Sequence, residues 1–339
     1  NADHAKNQLG DYVSHAVLQD IVTVLAGIKA AVGSQTKVEY VKGCDVVGTA
    51  HNEIAQAREA AQRAKVAIVV LGENEWGSPN HTGTDGEGYD SATLELTGLQ
   101  LDLVTAVRET GTPTVVVLIN GRPLAIRWIA ENVPAVVEAW LPGEKGGQAV
   151  AEVLFGDCNP SGRLAVTVPR HVGQLPVYYN CKPSKTYWAE HGWGRPYVDM
   201  APTPLYEFGY GLSYTEFEYS NLRIEPETGG VGSTVQVSAD IKNTGSRPGT
   251  EVVQLYIHDV IGSVVTPVKE LRGFERVALQ PGQTKTVNFT LTPENLALLN
   301  RHLEWVVEPG FFEITVGHSS KDIRLKGTFE VVSPVAQAQ

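Results

Sequence analysis

The sequence has 339 residues, 42% hydrophobic and 19% charged, an ordinary globular balance and a length that suggests two domains. Asp and Glu number 38 against 27 Lys and Arg, for a net charge of −11. That balance argues against a nucleic-acid binder, whose affinity rests on cations neutralising phosphates. No apolar run approaches the roughly 20 residues of a membrane helix, so no span is expected. The chain opens at Asn1 without a leader pattern and its single Met is Met200. The expectation is a processed protein or a piece of a longer one. Cys44, Cys158 and Cys181 show no CxxC spacing and are odd in number, which argues against a disulfide framework or a zinc site. The sequons at Asn80 and Asn288 matter only in a glycosylating secretory pathway.

In chain order, Val17 to Val32 is a helix candidate and Lys37 to Val41 a short strand. Asn52 to Lys65 is Ala-rich and helical, and Val66 to Gly72 (VAIVVLG) is a continuously apolar strand. Glu95 to Glu109 has helical spacing at Leu96, Leu99, Leu103 and Val107. Thr114 to Asn120 (TVVVLIN) is a second apolar strand, followed by a helix around Ile126 to Glu131. Ala135 to Trp140 reads as a third strand and Gly147 to Phe155 as a helix. Strands apolar on both faces and separated by helices predict an α/β layered sheet with mostly parallel strands, covered on both sides, over residues 1–169.

Residues 170–222 are rich in Pro, Gly and Tyr without sustained periodicity, and read as an ordered connector. Its aromatics Tyr206, Phe208, Tyr210 and Tyr214 are expected to pack between domains. Residues 223–333 read as all-β. Val235 to Ile241, Glu251 to His258, Thr284 to Leu291 and Phe311 to Val316 are short strands broken by Asn-Thr-Gly, Gln-Pro-Gly and Glu-Pro-Gly turns. The pattern predicts an immunoglobulin-like or fibronectin-III-like sandwich.

The chemistry is concentrated between residues 73 and 90. This connection leaves the carboxyl end of an apolar strand, where ligands bind in open α/β sheets, and it is long. From Val66 to Val107 there is no Lys or Arg, while Glu73, Glu75, Asp85, Glu87, Asp90, Glu95 and Asp102 are acidic. A phosphate cradle needs donors and positive potential, and the glycine spacing is wrong for a dinucleotide fingerprint. Crowded carboxylates raise one another's pKa, which suits a general acid. Glu87 stands between Gly86 and Gly88, and Trp76 and Tyr89 offer faces for a sugar ring. The same residues fit a calcium site of Asp85, Glu87 and Asp90, or a solvated loop without chemistry.

Three segments of the first region narrow this reading. They are Gly121-Arg122-Pro123-Leu124, residues 128–147 ending in Glu138-Ala139-Trp140-Leu141-Pro142-Gly143-Glu144-Lys145-Gly146-Gly147, and residues 153–164 (VLFGDCNPSGRL). With Phe208-Gly209-Tyr210-Gly211-Leu212-Ser213-Tyr214 they resemble glycoside hydrolase family 3. Residues 251–256 (EVVQLY), 269–274 (KELRGF) and 305–310 (WVVEPG) resemble the fibronectin-III-like domain at the C-terminus of many members. The resemblance runs in order across nearly the whole chain and is that of the C-terminal portion of a family 3 β-glucosidase.

What the resemblance implies is a retaining exo-glycosidase that works through a covalent glycosyl-enzyme. The nucleophile is an Asp on an N-terminal (β/α)8 barrel, absent here and therefore an expected partner domain or polypeptide. The general acid/base is a Glu on a loop of the α/β domain, before a helix with the pattern Leu-x-Leu-x-x-x-Gln. Glu87 stands in that place, ahead of Leu94-Glu95-Leu96-Thr97-Gly98-Leu99-Gln100. The segment before Glu87 is longer than in compact members, which keeps Glu75 and Asp85 as alternatives. Glu73 is expected to anchor the loop, Trp76 to line the sugar site, and Trp140 to be core.

The implied substrate is a β-glucoside or cello-oligosaccharide, with a β-xyloside or other β-glycoside as the alternative. No cofactor, metal, nucleic acid or membrane is called for. A homo-oligomer is possible, and the compartment is open with a lean to secreted or periplasmic. A non-catalytic carbohydrate-binding or assembly module with the same fold is the other class of reading.

Overall fold

The computed structural model describes all residues except 11, 14–16, 75–82, 87–89, 185–186, 188–190, 193, 195–196 and 334–339. The chain forms two compact units, one of residues 1–158 and 169–175, the other of residues 159–168 and 176–339.

The first unit is built on three parallel strands in the order β1 (Ala67–Gly72), β2 (Thr114–Ile119) and β3 (Ala135–Glu138). Val116, Val117, Leu118 and Ile119 of β2 are almost wholly buried, as a strand covered on both faces requires. The helices are α1 (Val24–Val32), α2 (Ile54–Arg63), α3 (Gln100–Arg108), α4 (Arg127–Asn132) and α5 (Gly146–Phe155). Val24 and Ile28 of α1, Val117 and Ile119 of β2, and Val150 and Ala151 of α5 share one apolar cluster. The helices α1 and α5 cross with their backbones in contact. A Cβ on Gly27 would lie 2.0 Å from the Gly147 carbonyl oxygen, and one on Gly147 would lie 2.0 Å from that of Thr23. No larger residue fits that crossing.

Three element boundaries depart from the sequence reading. The helix expected from Val17 begins only at Val24, because Thr23 is extended and caps it by accepting from the Ala26 N–H at 3.2 Å. Only a 3₁₀ turn, Leu18–Asp20, precedes it. The helix expected from Glu95 begins at Gln100, since Gly98 sits at φ +63, outside helical space. Lys37 to Val41 forms no strand; Val38 packs on the apolar cluster without joining a ladder.

The second unit contains two sheets. One has five strands in the order β5 (Thr228–Gly229), β13 (Ile323–Val331), β12 (Gly310–Gly317), β7 (Gly249–Asp259) and β8 (Glu270–Leu279). The other orders β4 (Phe217–Glu225), β6 (Val235–Asn243) and β9 (Thr284–Leu291). A short antiparallel pair, β10 (Leu298–Leu299) and β11 (Trp305–Val306), lies outside both. Burial alternates along β6, with Val235, Val237, Ala239 and Ile241 turned inward. They meet Val253, Leu255, Phe312, Ile314 and Phe329 from the larger sheet in one core, which makes the unit a β-sandwich.

Of the connector aromatics, Tyr206 stacks on Tyr210 at 5.1 Å and Phe208 on Tyr179 at 4.2 Å, all inside this second unit. The same unit holds an ionic hub. Glu251, fully buried on β7, accepts from the Arg163 guanidinium at 3.1 Å and the Tyr219 hydroxyl at 3.0 Å, and lies 2.9 Å from His318 Nδ1.

Candidate active site

The carboxyl ends of the three parallel strands converge on one edge of the first unit, the edge where ligands bind in open α/β sheets. Glu73 follows β1, Asn120 follows β2, and Glu138 ends β3. Glu73 and Asn120 are buried and Glu138 is partly so.

The segment between β1 and α3 starts and finishes at one point. Gln100, the first residue of α3, is buried, and its side-chain amide pairs with both backbone groups of Gly72, the last residue of β1. Gln100 Oε1 accepts from the Gly72 N–H at 2.8 Å, and Nε2 donates to the Gly72 carbonyl at 2.8 Å. Residues 73–99 are therefore an excursion closed at the strand end. Cross-ties divide it. Thr84 donates its N–H to the Asn74 carbonyl at 2.7 Å, and its hydroxyl accepts from the Asn74 N–H at 3.1 Å. Further along, Ala125 donates to the Leu94 carbonyl at 2.7 Å.

Arg122, in the turn after β2, supplies the cation that the acidic segment lacks. Its Nε and Nη2 donate to Glu73 Oε1 at 2.9 and 2.6 Å. Nη2 also reaches the Thr84 carbonyl and Ser91 Oγ, each at 3.1 Å, and Nη1 the Thr93 carbonyl at 3.0 Å. Burial pushes the Glu73 carboxyl above the usual carboxylate range against the pull of Arg122, and the neighbouring Asp85 adds to the rise. Glu138 is pushed up to about 7, chiefly by burial, although it accepts from the Trp140 N–H at 3.1 Å and from Asn120 Nδ2 at 3.4 Å. Glu73 Oε2 and Asn120 Oδ1 are buried and find no hydrogen-bond partner among the described residues. A carboxyl that titrates near neutrality can hold or release a proton at this edge.

Glu73 anchors the loop as the sequence leads one to expect. Glu87, Trp76, Glu75 and Tyr89 lie outside the described residues. Of the alternatives, Asp85 is described, with its Cβ 3.4 Å from the position a Gly121 Cβ would occupy. The calcium set of Asp85, Glu87 and Asp90 includes Glu87 and so also falls partly outside. Among the described residues, no group of three His, Cys, Asp or Glu is placed to hold a metal. Trp140 is half-buried at the end of β3 and left-handed, with φ 52, a conformation that costs a non-glycine residue about 1 kcal/mol or more.

Sequence reasoning did not single out Arg122, Asn120 or Glu138. The signal available was their position one to three residues past, or at, the end of an apolar strand.

Residues 1–214 match the model of the glycosyl hydrolase family 3 C-terminal domain, and residues 251–320 match that of the fibronectin type III-like domain. The chain is 45% identical to a β-xylosidase of Formosa agariphila, over 90% of this chain and 41% of that protein. It is 37% identical to the periplasmic β-glucosidase of Salmonella typhimurium, over 98% of this chain and 45% of that one. The crystal structure of a β-glucosidase from Listeria innocua in complex with glucose superposes with a TM-score of 0.86 at 35% identity. That match covers 99% of this chain and 45% of the Listeria one. The chain thus spans less than half the length of these relatives.

Proposed function

This chain belongs to glycoside hydrolase family 3, and we propose that it is the C-terminal part of a retaining exo-β-glucosidase in which Glu87 is the general acid/base. The substrate is a β-glucoside or cello-oligosaccharide, cleaved at its non-reducing end. The nucleophile is an Asp on a barrel domain outside this chain. In the first step that Asp attacks the anomeric carbon while the Glu87 carboxyl gives its proton to the departing glycosidic oxygen. In the second, the Glu87 carboxylate takes a proton from water as that water attacks the glycosyl-enzyme and frees the Asp.

The observation that carries this reading is the closed excursion at the end of β1. Gln100 ties its far end back to Gly72, so the acidic segment leaves and returns at the ligand-binding edge. A retaining pair needs carboxyls about 5–5.5 Å apart, which gives a long, tethered loop a purpose: it must reach a second domain and hold its place there. A second reading, β-xylosidase, is favoured by the 45% identity to a β-xylosidase against 37% to a β-glucosidase.

The test is Glu87→Ala in the complete polypeptide. Cleavage of saccharides should fall by about 10²–10⁴-fold. For dinitrophenyl glycosides, whose phenolate leaves without a proton, kcat/KM should be spared while kcat falls for want of the base in the second step, and azide should restore turnover as the β-glycosyl azide. Equal loss on all substrates without rescue moves the role to another carboxylate. Comparing aryl β-glucosides with aryl β-xylosides on the unaltered enzyme separates the two substrate readings.

A further inference from the structure

We propose that Arg122 is the positioning residue for Glu87: its guanidinium bonds both Thr84 and Ser91, described residues on either side of it in the chain. The proposal rests on the assignment of Glu87 made above. Thr84 and Ser91 flank the segment, and each gives an acceptor 3.1 Å from the same Nη2. The two acceptors therefore lie no farther apart than twice that distance, although seven residue steps separate them along the chain. The Nη1 bond to the Thr93 carbonyl extends the grip on the returning side.

A clamp positions only if it is itself fixed, and Arg122 is fixed at both ends. Its head is held by two bonds to Glu73 Oε1, on a side chain 1% exposed whose backbone N–H donates to the Ile119 carbonyl at 2.8 Å. Its own carbonyl accepts from Asn120 Nδ2 at 2.8 Å, and Asn120 is fully buried. Thr84 and Ser91 are thus referred to the ends of β1 and β2. Only a planar fork can bond three chain segments at once in this way; a lysine ammonium would carry the charge without the geometry. No other cation is available from within the segment, since residues 66–107 contain no Lys or Arg. Displacement of a catalytic group by about 1 Å is enough to cost 10²-fold in rate.

The experiment measures kcat/KM in the complete enzyme for a series of aryl β-glycosides of rising leaving-group pKa, with Arg122→Lys, Arg122→Ala and Glu87→Ala side by side. Loss of positioning steepens the dependence on leaving group: R122A should lose about 10²-fold on the poorest leaving groups and little on dinitrophenyl glycosides. R122K, which keeps the charge balance with Glu73 and so guards against misfolding, should steepen in the same sense by a smaller factor. A loss in R122K that is equal across the series overturns the clamp, because a merely structural role lowers the amount of active enzyme for every substrate alike. If E87A steepens and R122K does not, the clamp alone fails. If E87A itself is flat, the assignment of Glu87 fails and takes the clamp with it.

Discussion

The side-chain amide of Gln100 pairs with both the N–H and the carbonyl of Gly72, at 2.8 Å each, as a neighbouring strand would. It ends β1 with a side chain in place of further backbone and starts α3 at the same point. Replacing Gln100 by Leu keeps the volume but strands two buried backbone groups. Each such group costs about 1–3 kcal/mol. Q100L should therefore be less stable in urea by about 3 kcal/mol, and its Gly72 amide should exchange with solvent faster than in the native chain. Unchanged exchange at Gly72 would show that the strand end does not depend on this pair.

The contrast between Gln100 and Arg122 explains what the sequence could and could not reveal. The strands β1 and β2 announce themselves as unbroken apolar runs, since burial on both faces demands it. Gln100 was visible as the last letter of a family pattern, but its bond to a residue 28 positions earlier was not. Arg122 was hidden differently. The acidic segment reads as cation-free because its cation arrives from the next strand's turn, 49 residues beyond Glu73. Linear spacing carries no record of which turns a parallel sheet lines up along one edge. Lys37 to Val41 shows the opposite failure: a strand pattern with no ladder to join.

Glu138 gives the first unit a pH-dependent stability of defined sign. Its carboxyl titrates at about 7 when folded against an ordinary value of 4.5, because burial disfavours the charge. The folded state then binds more protons than the unfolded one between these values. Stability is full below about 4.5 and falls as pH rises towards 7. At most about 3 kcal/mol is involved, and partial exposure of the side chain lowers that to about 2. Chemical denaturation at pH 5 and pH 8 should show the loss in the native chain. E138Q, which cannot ionise, should be more stable than the native chain at pH 8 and nearly equal to it at pH 5. A native chain no less stable at pH 8 than E138Q would place the Glu138 charge in a better solvated site.

The crossing of α1 and α5 sets a steric test. An alanine at 27 gains about 1 kcal/mol of helix propensity. Its Cβ, however, must lie 2.0 Å from a backbone oxygen of Gly147, an atom that cannot swing aside as a side chain can. Separating the helices opens the cluster of Val24, Ile28, Val150 and Ala151. Overpacking of this kind costs about 1–3 kcal/mol or more. Gly27→Ala and Gly147→Ala should each lower the melting temperature despite the better helix former. Because both force apart the same crossing, their double variant should cost less than the sum of the two.

The hub at Glu251 calls for a pair of variants rather than one. Its carboxylate is fully buried and answers three groups: the Arg163 guanidinium, with a side chain 6% exposed, the Tyr219 hydroxyl and the His318 ring. Burial first, then the charge of Glu251, pushes the Tyr219 phenol well above its ordinary range, so it remains a donor throughout the usable pH range. Glu251→Ala removes the anion paired with the buried Arg163 side chain and leaves that charge without its partner. The cost expected is about 3–5 kcal/mol. Charge pairs repay their own desolvation poorly, however, so replacing both partners should not add a second penalty. The double variant E251L/R163M should recover most of the stability lost in E251A, read as urea midpoints of the 339-residue chain at unchanged slope. If the double variant were as unstable as E251A, the specific hydrogen bonds to Tyr219 and His318, rather than the stranded arginine, would be what the sandwich depends on.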